Sequence, residues 1–172
     1  MRKVIRAAAC LVLLASMAAA GAVRAQETVS LIQPEESSQH EGYYYPKPQT
    51  VEKYVSNVVT LPESDRVRRQ AFVIGMTKQL LGGQYQPAYA IFAKGNDSQK
   101  LIIVGLIDGQ LDTVYRARAL LATFTAVART TPFFQQNVQP DTSTFFDFMK
   151  LLGFKQVTIS DGKTFAHQVI VD

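Results

Sequence analysis

Asp108 is the first residue to weigh for chemistry. It follows the apolar run 101–107, and Asp112 stands four residues further on. Strand ends are where α/β enzymes place catalytic carboxylates. An aspartyl nucleophile for phosphoryl transfer at such a strand end is joined by a second Asp two residues later, and Gln110 occupies that place. Asp108 in a tight turn and Asp112 as the cap of the next helix account for both residues without chemistry. His167 lies in the last apolar segment, where a histidine packs against Phe165 and Val169 or turns toward a cleft. With Arg116 and Arg118 these residues define one candidate ligand cleft, formed by Asp108, Arg116, Arg118 and His167. Arg116 points away from its helix's apolar stripe; Arg118 borders it, with its stem packed and its head toward water or a carboxylate.

Other chemistries find no residues to carry them. Metal sites need His, Cys and carboxylates clustered at fixed spacing, and the two histidines are far apart in sequence. No Gly-x-Ser-x-Gly elbow and no Gly-rich phosphate loop occurs. No catalytic residue, metal ligand or cofactor is assigned.

A second candidate site is a docking surface. Tyr43, Tyr44 and Tyr45 precede Pro46 and Pro48 in an otherwise polar stretch. The three rings either enter a partner's groove or cap the surface of their own domain. Arg66 and Arg69, beside Asp65 and Arg68, form a charged first turn or two of a helix. That face is either a partner site or a solvated, salt-bridged surface.

The elements that position these residues begin with an export signal. Arg2, Lys3 and Arg6 precede the apolar stretch 7–20, and Val23-Arg24-Ala25 supplies a small-residue cleavage site. The stretch is shorter than the ~20 residues a membrane span needs. Cleavage after Ala25 would leave 147 residues carrying 14 bases and 14 acids. A neutral domain lacks the basic face that nucleic-acid binding requires. Cys10 is the only cysteine, so the mature chain has no thiol chemistry, and stability rests on a hydrophobic core. Residues 26–50 read as a polar Tyr-Pro tether, and 51–172 as one domain.

Residues 50–55 alternate as a short strand. A helix starts near Pro62-Glu63-Ser64-Asp65 and stops at Gly82-Gly83. Val67, Ala71, Ile74 and Leu81, with Val73 and Leu80, make one apolar stripe along it. Residues 87–93 and 100–107 form a hairpin around Gly95-Asn96-Asp97-Ser98, its second strand central or buried on both faces. A second helix is capped by Asp112 or Thr113 and closed by Thr130-Thr131-Pro132. Residues 133–139 read as a loop, and Asp141 or Thr142 caps a third helix that ends at Gly153. A last hairpin joins 156–160 to 165–171 through Asp161-Gly162. The expectation is an α+β domain: a mainly antiparallel sheet from two hairpins, with about three helices on one face.

The stretch 65–167 resembles a family of small exported proteins of Gram-negative bacteria. The carrying motifs are Phe92-Ala93-Lys94-Gly95, Asp108-Gly109 through Tyr115-Arg116-Ala117-Arg118-Ala119-Leu120-Leu121, Thr144-Phe145-Phe146-Asp147, Leu151-Leu152-Gly153-Phe154, and Ser160-Asp161-Gly162 to His167. Members often bear the label molybdopterin-guanine dinucleotide biosynthesis protein A, which implies a molybdenum-cofactor role. The nucleotidyltransferase behind that label has an N-terminal Leu-Ala-Gly-Gly phosphate loop. Here Leu80-Leu81-Gly82-Gly83 closes a helix, so no catalytic residue carries over. The leading expectation is an exported, periplasmic, non-catalytic accessory protein that contacts an envelope protein. The alternative is a small-ligand protein or enzyme using the Asp108, Arg116, Arg118 and His167 cleft.

Overall fold

Strand β1 (Thr50–Tyr54) opens the ordered domain of this computed structural model, which describes residues 45–172. The expected signal 1–25, and most of the expected tether with Tyr43 and Tyr44, lie outside the described residues. Four helices follow: α1 (Arg66–Leu81), α2 (Val114–Arg129), α3 (Pro132–Asn137) and α4 (Phe145–Leu151). They are interleaved with β2 (Tyr89–Lys94), β3 (Lys100–Gly105), β4 (Gln156–Ser160) and β5 (Ala166–Val171). Among the described residues no helix is long and apolar enough to cross a membrane.

The domain is α+β, but its five-stranded sheet is mixed rather than mainly antiparallel, in the order β1-β5-β4-β3-β2. Both expected hairpins form, β2 with β3 and β4 with β5. The crossover through α2, α3 and α4 then returns the chain to its starting end, so β4 lies parallel to β3. β1 adds a fifth strand, parallel to β5, with Thr50 beside His167 and Tyr54 beside Val171. Parallel neighbours need a long connection, and hydrophobic periodicity carries no record of direction.

Alternation assigns the two sheet faces. Ile91, Leu101, Ile103, Val157, Ile159 and Val171 pack under Val73, Leu121, Phe124, Phe145 and Met149 of the helices. Ile102 and Ala166 point the other way, where Tyr45 covers them. The end of the tether therefore lies on the sheet, and the Gln49 amide donates to the Ala166 carbonyl at 2.9 Å. β4 is the central strand and is buried along its length. β3 is off-centre, and the apolar run outlasts it: Leu106 and Ile107 leave the sheet and are exposed.

Local chemistry explains the helix ends. Asp65 caps α1 by accepting from the Arg68 amide at 2.8 Å, and Gly82 closes it. Of Asp112 and Thr113, Thr113 caps α2. Most of the stretch 133–139, expected as loop, falls in α3, because Thr131 caps the turn and Pro132 is pre-set for a first helical position. Neither Asp141 nor Thr142 caps α4. Thr144 does, in a capping box with Asp147. Asp161 organises the β4–β5 turn by accepting from the amides of Lys163, Thr164 and Phe165. Burial opposes its ionisation, but those amides and the Thr164 hydroxyl outweigh that and hold its pKa down to about 2.

The stripe on α1 behaves unlike its sequence pattern. Val67, Ile74 and Leu81 are 69%, 54% and 67% exposed, while Val73 and Arg69 are buried. Phe72, Met76 and Leu80 turn inward beside Val73. An i, i+7 repeat fixes a common face but not which face meets the sheet. Ile74→Lys is therefore expected to change stability by less than about 0.5 kcal/mol. Val73→Ala should cost about 2 kcal/mol through its lost methyl groups and cavity. Urea denaturation of both variants checks the assignment, and a costly Ile74→Lys would reverse it.

Candidate functional site

β1 and β5 bring Thr50, Glu52 and Tyr54 onto the helix-covered face beside His167 and Val169. α2 crosses this end of the sheet and contributes Arg118, Leu121, Ala122 and Arg129. These four, with Glu52, Tyr54, Thr144, Phe146 and His167, line an open cleft of about 450 Å³.

His167 sits at its base and is fully buried. Its Nδ1 shares a hydrogen bond of 2.7 Å with the Thr50 hydroxyl. Its Nε2 has no hydrogen-bond partner among the described residues. Glu52 Oε2 stands 4.0 Å from that nitrogen, too far for a hydrogen bond, while Glu52 Oε1 is held by Arg118 Nη2 at 2.5 Å. Burial lowers the His167 pKa, the Glu52 carboxylate pushes it back up, and Arg118 lowers it again. The net fall keeps the ring neutral at pH 7.

The cleft's other wall is a hydrogen-bonded cluster around Asp147. The carboxylate accepts from Tyr54 Oη at 2.8 Å, Ser56 Oγ at 2.7 Å and the Thr144 amide at 2.7 Å. The Tyr54 ring lies 5.0 Å from that of Phe146. Arg129 Nη2 donates to the carbonyls of Asp141 and Ser143 at 3.2 and 3.0 Å. The aromatic and cationic groups of the cleft are thus braced from behind.

The four expected cleft residues divide. Arg118 and His167 both line the cleft, with Glu52 paired to Arg118 and standing 4.0 Å from the ring. Asp108 and Arg116 do not line this cleft. Asp108 is exposed and pairs with Lys163 at 2.6 Å. Arg116 pairs with Asp112 at 2.7 Å and donates to the Gly109 carbonyl. Exposed pairs of this kind contribute about 0–1 kcal/mol. Of the docking residues, Tyr43 and Tyr44 lie outside the described residues. Tyr45 is buried against the sheet, the fold-back that the sequence allowed as an alternative to docking. Arg66 is exposed, but Arg69 is buried rather than standing beside it on an open charged face.

Sequence reading passed over Glu52, Tyr54, Thr50, Asp147 and Arg129. One signal was present: Thr50, Glu52 and Tyr54 alternate, which puts a hydroxyl, a carboxylate and a phenol on one face of β1. Only the β1–β5 pairing shows that this face turns inward.

The buried ring also has a consequence for stability. The unfolded chain takes up a proton at His167 near the ordinary value of about 6.5, whereas the folded chain resists it. Stability therefore falls as pH drops below that value. For one proton the slope cannot exceed about 1.4 kcal/mol per pH unit. His167→Gln should flatten the dependence between pH 7 and 5, measured by urea denaturation. An unchanged slope would assign the dependence to other groups.

No protein-family model, curated protein or solved structure matches this chain.

Proposed function

We propose that this chain is an exported periplasmic domain that binds a small organic anion in the cleft between β1, β5 and α2. One observation carries the reading: among the described residues the buried His167 Nε2 has no hydrogen-bond partner, and the nearest carboxylate, Glu52, is held away by Arg118. An incoming carboxylate that engages Arg118 competes with Glu52. Glu52 then has about one ångström to travel to a hydrogen bond with Nε2. That contact favours the imidazolium, so binding is coupled to proton uptake. The charged groups facing the ring are Glu52 from β1 and Arg118 from α2; β4 contributes the uncharged Ile159. Leu121, Ala122 and Phe146 supply an apolar seat for the body of the ligand.

Titration with benzoate and phenylacetate, followed at the His167 Cε1–H resonance, tests this. Saturable shifts are expected, with affinity rising roughly threefold or more from pH 7 to 5.5 as the ring gains its proton. Arg118→Ala should abolish the shifts, and Arg116→Ala, outside the cleft, should leave them intact. Binding that Arg118→Ala leaves unchanged would overturn the assignment. Export rests on the basic, apolar and small-residue pattern of 1–25. N-terminal sequencing of the envelope fraction is expected to begin at Gln26. Intact Met1 in a cytoplasmic fraction would oppose it.

A further inference from the structure

A second concavity lies on the helix layer, apart from the cleft at β1 and β5. α1 and α2 leave between them an apolar groove of about 570 Å³. Phe72 and Met76 of α1 form one wall, Phe124 and Val127 of α2 the other, with Phe133 and Phe148 at its base. Val127 remains 46% exposed, and Phe72, Met76 and Phe133 are only partly buried. The volume falls within the range of small-ligand sites.

The two threonine hydroxyls along this groove are already committed to backbone carbonyls. The Thr130 hydroxyl donates to the Val127 carbonyl at 2.8 Å, and the Thr131 hydroxyl to the Ala128 carbonyl at 2.7 Å. Among the described residues the single charged one lining the groove is Arg68, at one end. Its carboxylate neighbour, Glu63, is 3.7 Å away and largely exposed, a contact that a closer anion can replace. α1 carries Arg66, Arg68, Arg69 and Lys78 and no acidic residue. From Arg68 to Gln79 the helix runs about 16 Å. A hydrocarbon wall of that length with a guanidinium at one end matches a chain with an anionic head.

We propose that the groove between α1 and α2 binds a free fatty acid, its chain between Phe72, Met76 and Val127 and its carboxylate on Arg68. Gly75 provides the means to test it. It lines the groove, and a Cβ built there meets no atom within 4 Å. Gly75→Leu extends a side chain into the groove from a position with open space at Cβ and raises helix propensity, and cooperative thermal unfolding separates lost binding from lost folding.

The experiment is displacement of a fluorescent dansyl-undecanoic acid from the full chain by octanoate, decanoate and dodecanoate. Saturable one-to-one binding is expected, tightening roughly threefold per added methylene until the groove is full. Gly75→Leu should weaken it at least tenfold while thermal unfolding stays cooperative. Arg68→Ala should weaken dodecanoate but not dodecanol. Arg118→Ala should leave the groove unaffected, which separates this site from the anion cleft. Absence of saturable binding, or binding that Gly75→Leu leaves unchanged, overturns the proposal. So does protection of Met76 and Phe133 by an amphipathic peptide where dodecanoate gives none, which would make the groove a protein-docking site.

Discussion

Asp147→Ala is expected to lower stability by about 2–3 kcal/mol, because it orphans several partly buried donors together. The side chain is buried and accepts from Tyr54 Oη, Ser56 Oγ, the Thr144 amide and Thr144 Oγ1. It ties β1 and the segment after it to the start of α4, joining parts of the chain some ninety residues apart. Losing it also removes half of the α4 capping box. Asp147→Asn keeps one acceptor oxygen and should cost less, about 1–2 kcal/mol. Burial opposes ionisation of this carboxyl, but the Thr144 amide and the Ser56, Tyr54 and Thr144 hydroxyls outweigh it, so its pKa is lowered. Its contribution is therefore full above the ordinary carboxylate range and is lost as pH falls through the lowered folded value. Urea titrations at neutral and acid pH check both points. An Asp147→Asn variant as acid-sensitive as the parent would show that other carboxylates dominate. Because Tyr54 and Thr144 line the proposed anion cleft, Asp147→Ala should also weaken the proposed ligand binding in protein that remains folded.

Arg69→Met is the second large effect, expected at about 2–4 kcal/mol from loss of charge-assisted hydrogen bonds in a buried place. Arg69 Nε donates to the Asp97 carbonyl at 2.8 Å and Nη1 to the Ser64 carbonyl at 3.0 Å, with the Leu152 and Gly153 carbonyls at 3.5 and 3.4 Å. One guanidinium thus joins the start of α1, the β2–β3 turn and the end of α4. Lysine cannot reproduce this fork, so Arg69→Lys should cost nearly as much. Gly153 is the counterpart. Its φ is +76°, and an added Cβ would lie 2.7 Å from Arg69 Nη1. Gly153→Ala should cost about 2 kcal/mol from backbone strain and that collision. In Arg69→Met/Gly153→Ala part of the collision disappears, so the double variant should be less destabilised than the sum. Strict additivity in urea denaturation would show that the two residues act separately.

Legibility in the sequence followed the range of the forces involved. Alternation and helical periodicity placed both hairpins, α1, α2 and the region of α4 because apolar spacing is a local signal. Gly82 and Gly153 marked their helix ends for the same reason. α3 was hidden because six residues show too little periodicity, and Thr131-Pro132 serves equally as a stop and a start. The α4 cap was missed because the Thr144–Asp147 box looked like part of an aromatic helix. The stripe on α1 was visible, but its orientation depends on Arg69 finding carbonyls from three separate segments.

The candidate site divides in the same way. The sequence alone supplied His167, Arg118 and the strand carrying Glu52, together with an apolar core large enough to need no disulfide. It also supplied the export pattern from which localisation is proposed. Only the tertiary structure decided that β1 joins β5 in parallel, turning Glu52 toward His167 and Arg118, while Asp108 and Arg116 remain with surface partners. Only it decided that Val67, Ile74 and Leu81 face outward beside an apolar groove. Periodicity sets which residues share a face. Which face is buried, and which charges meet across distant strands, is settled by long-range packing that no local pattern encodes.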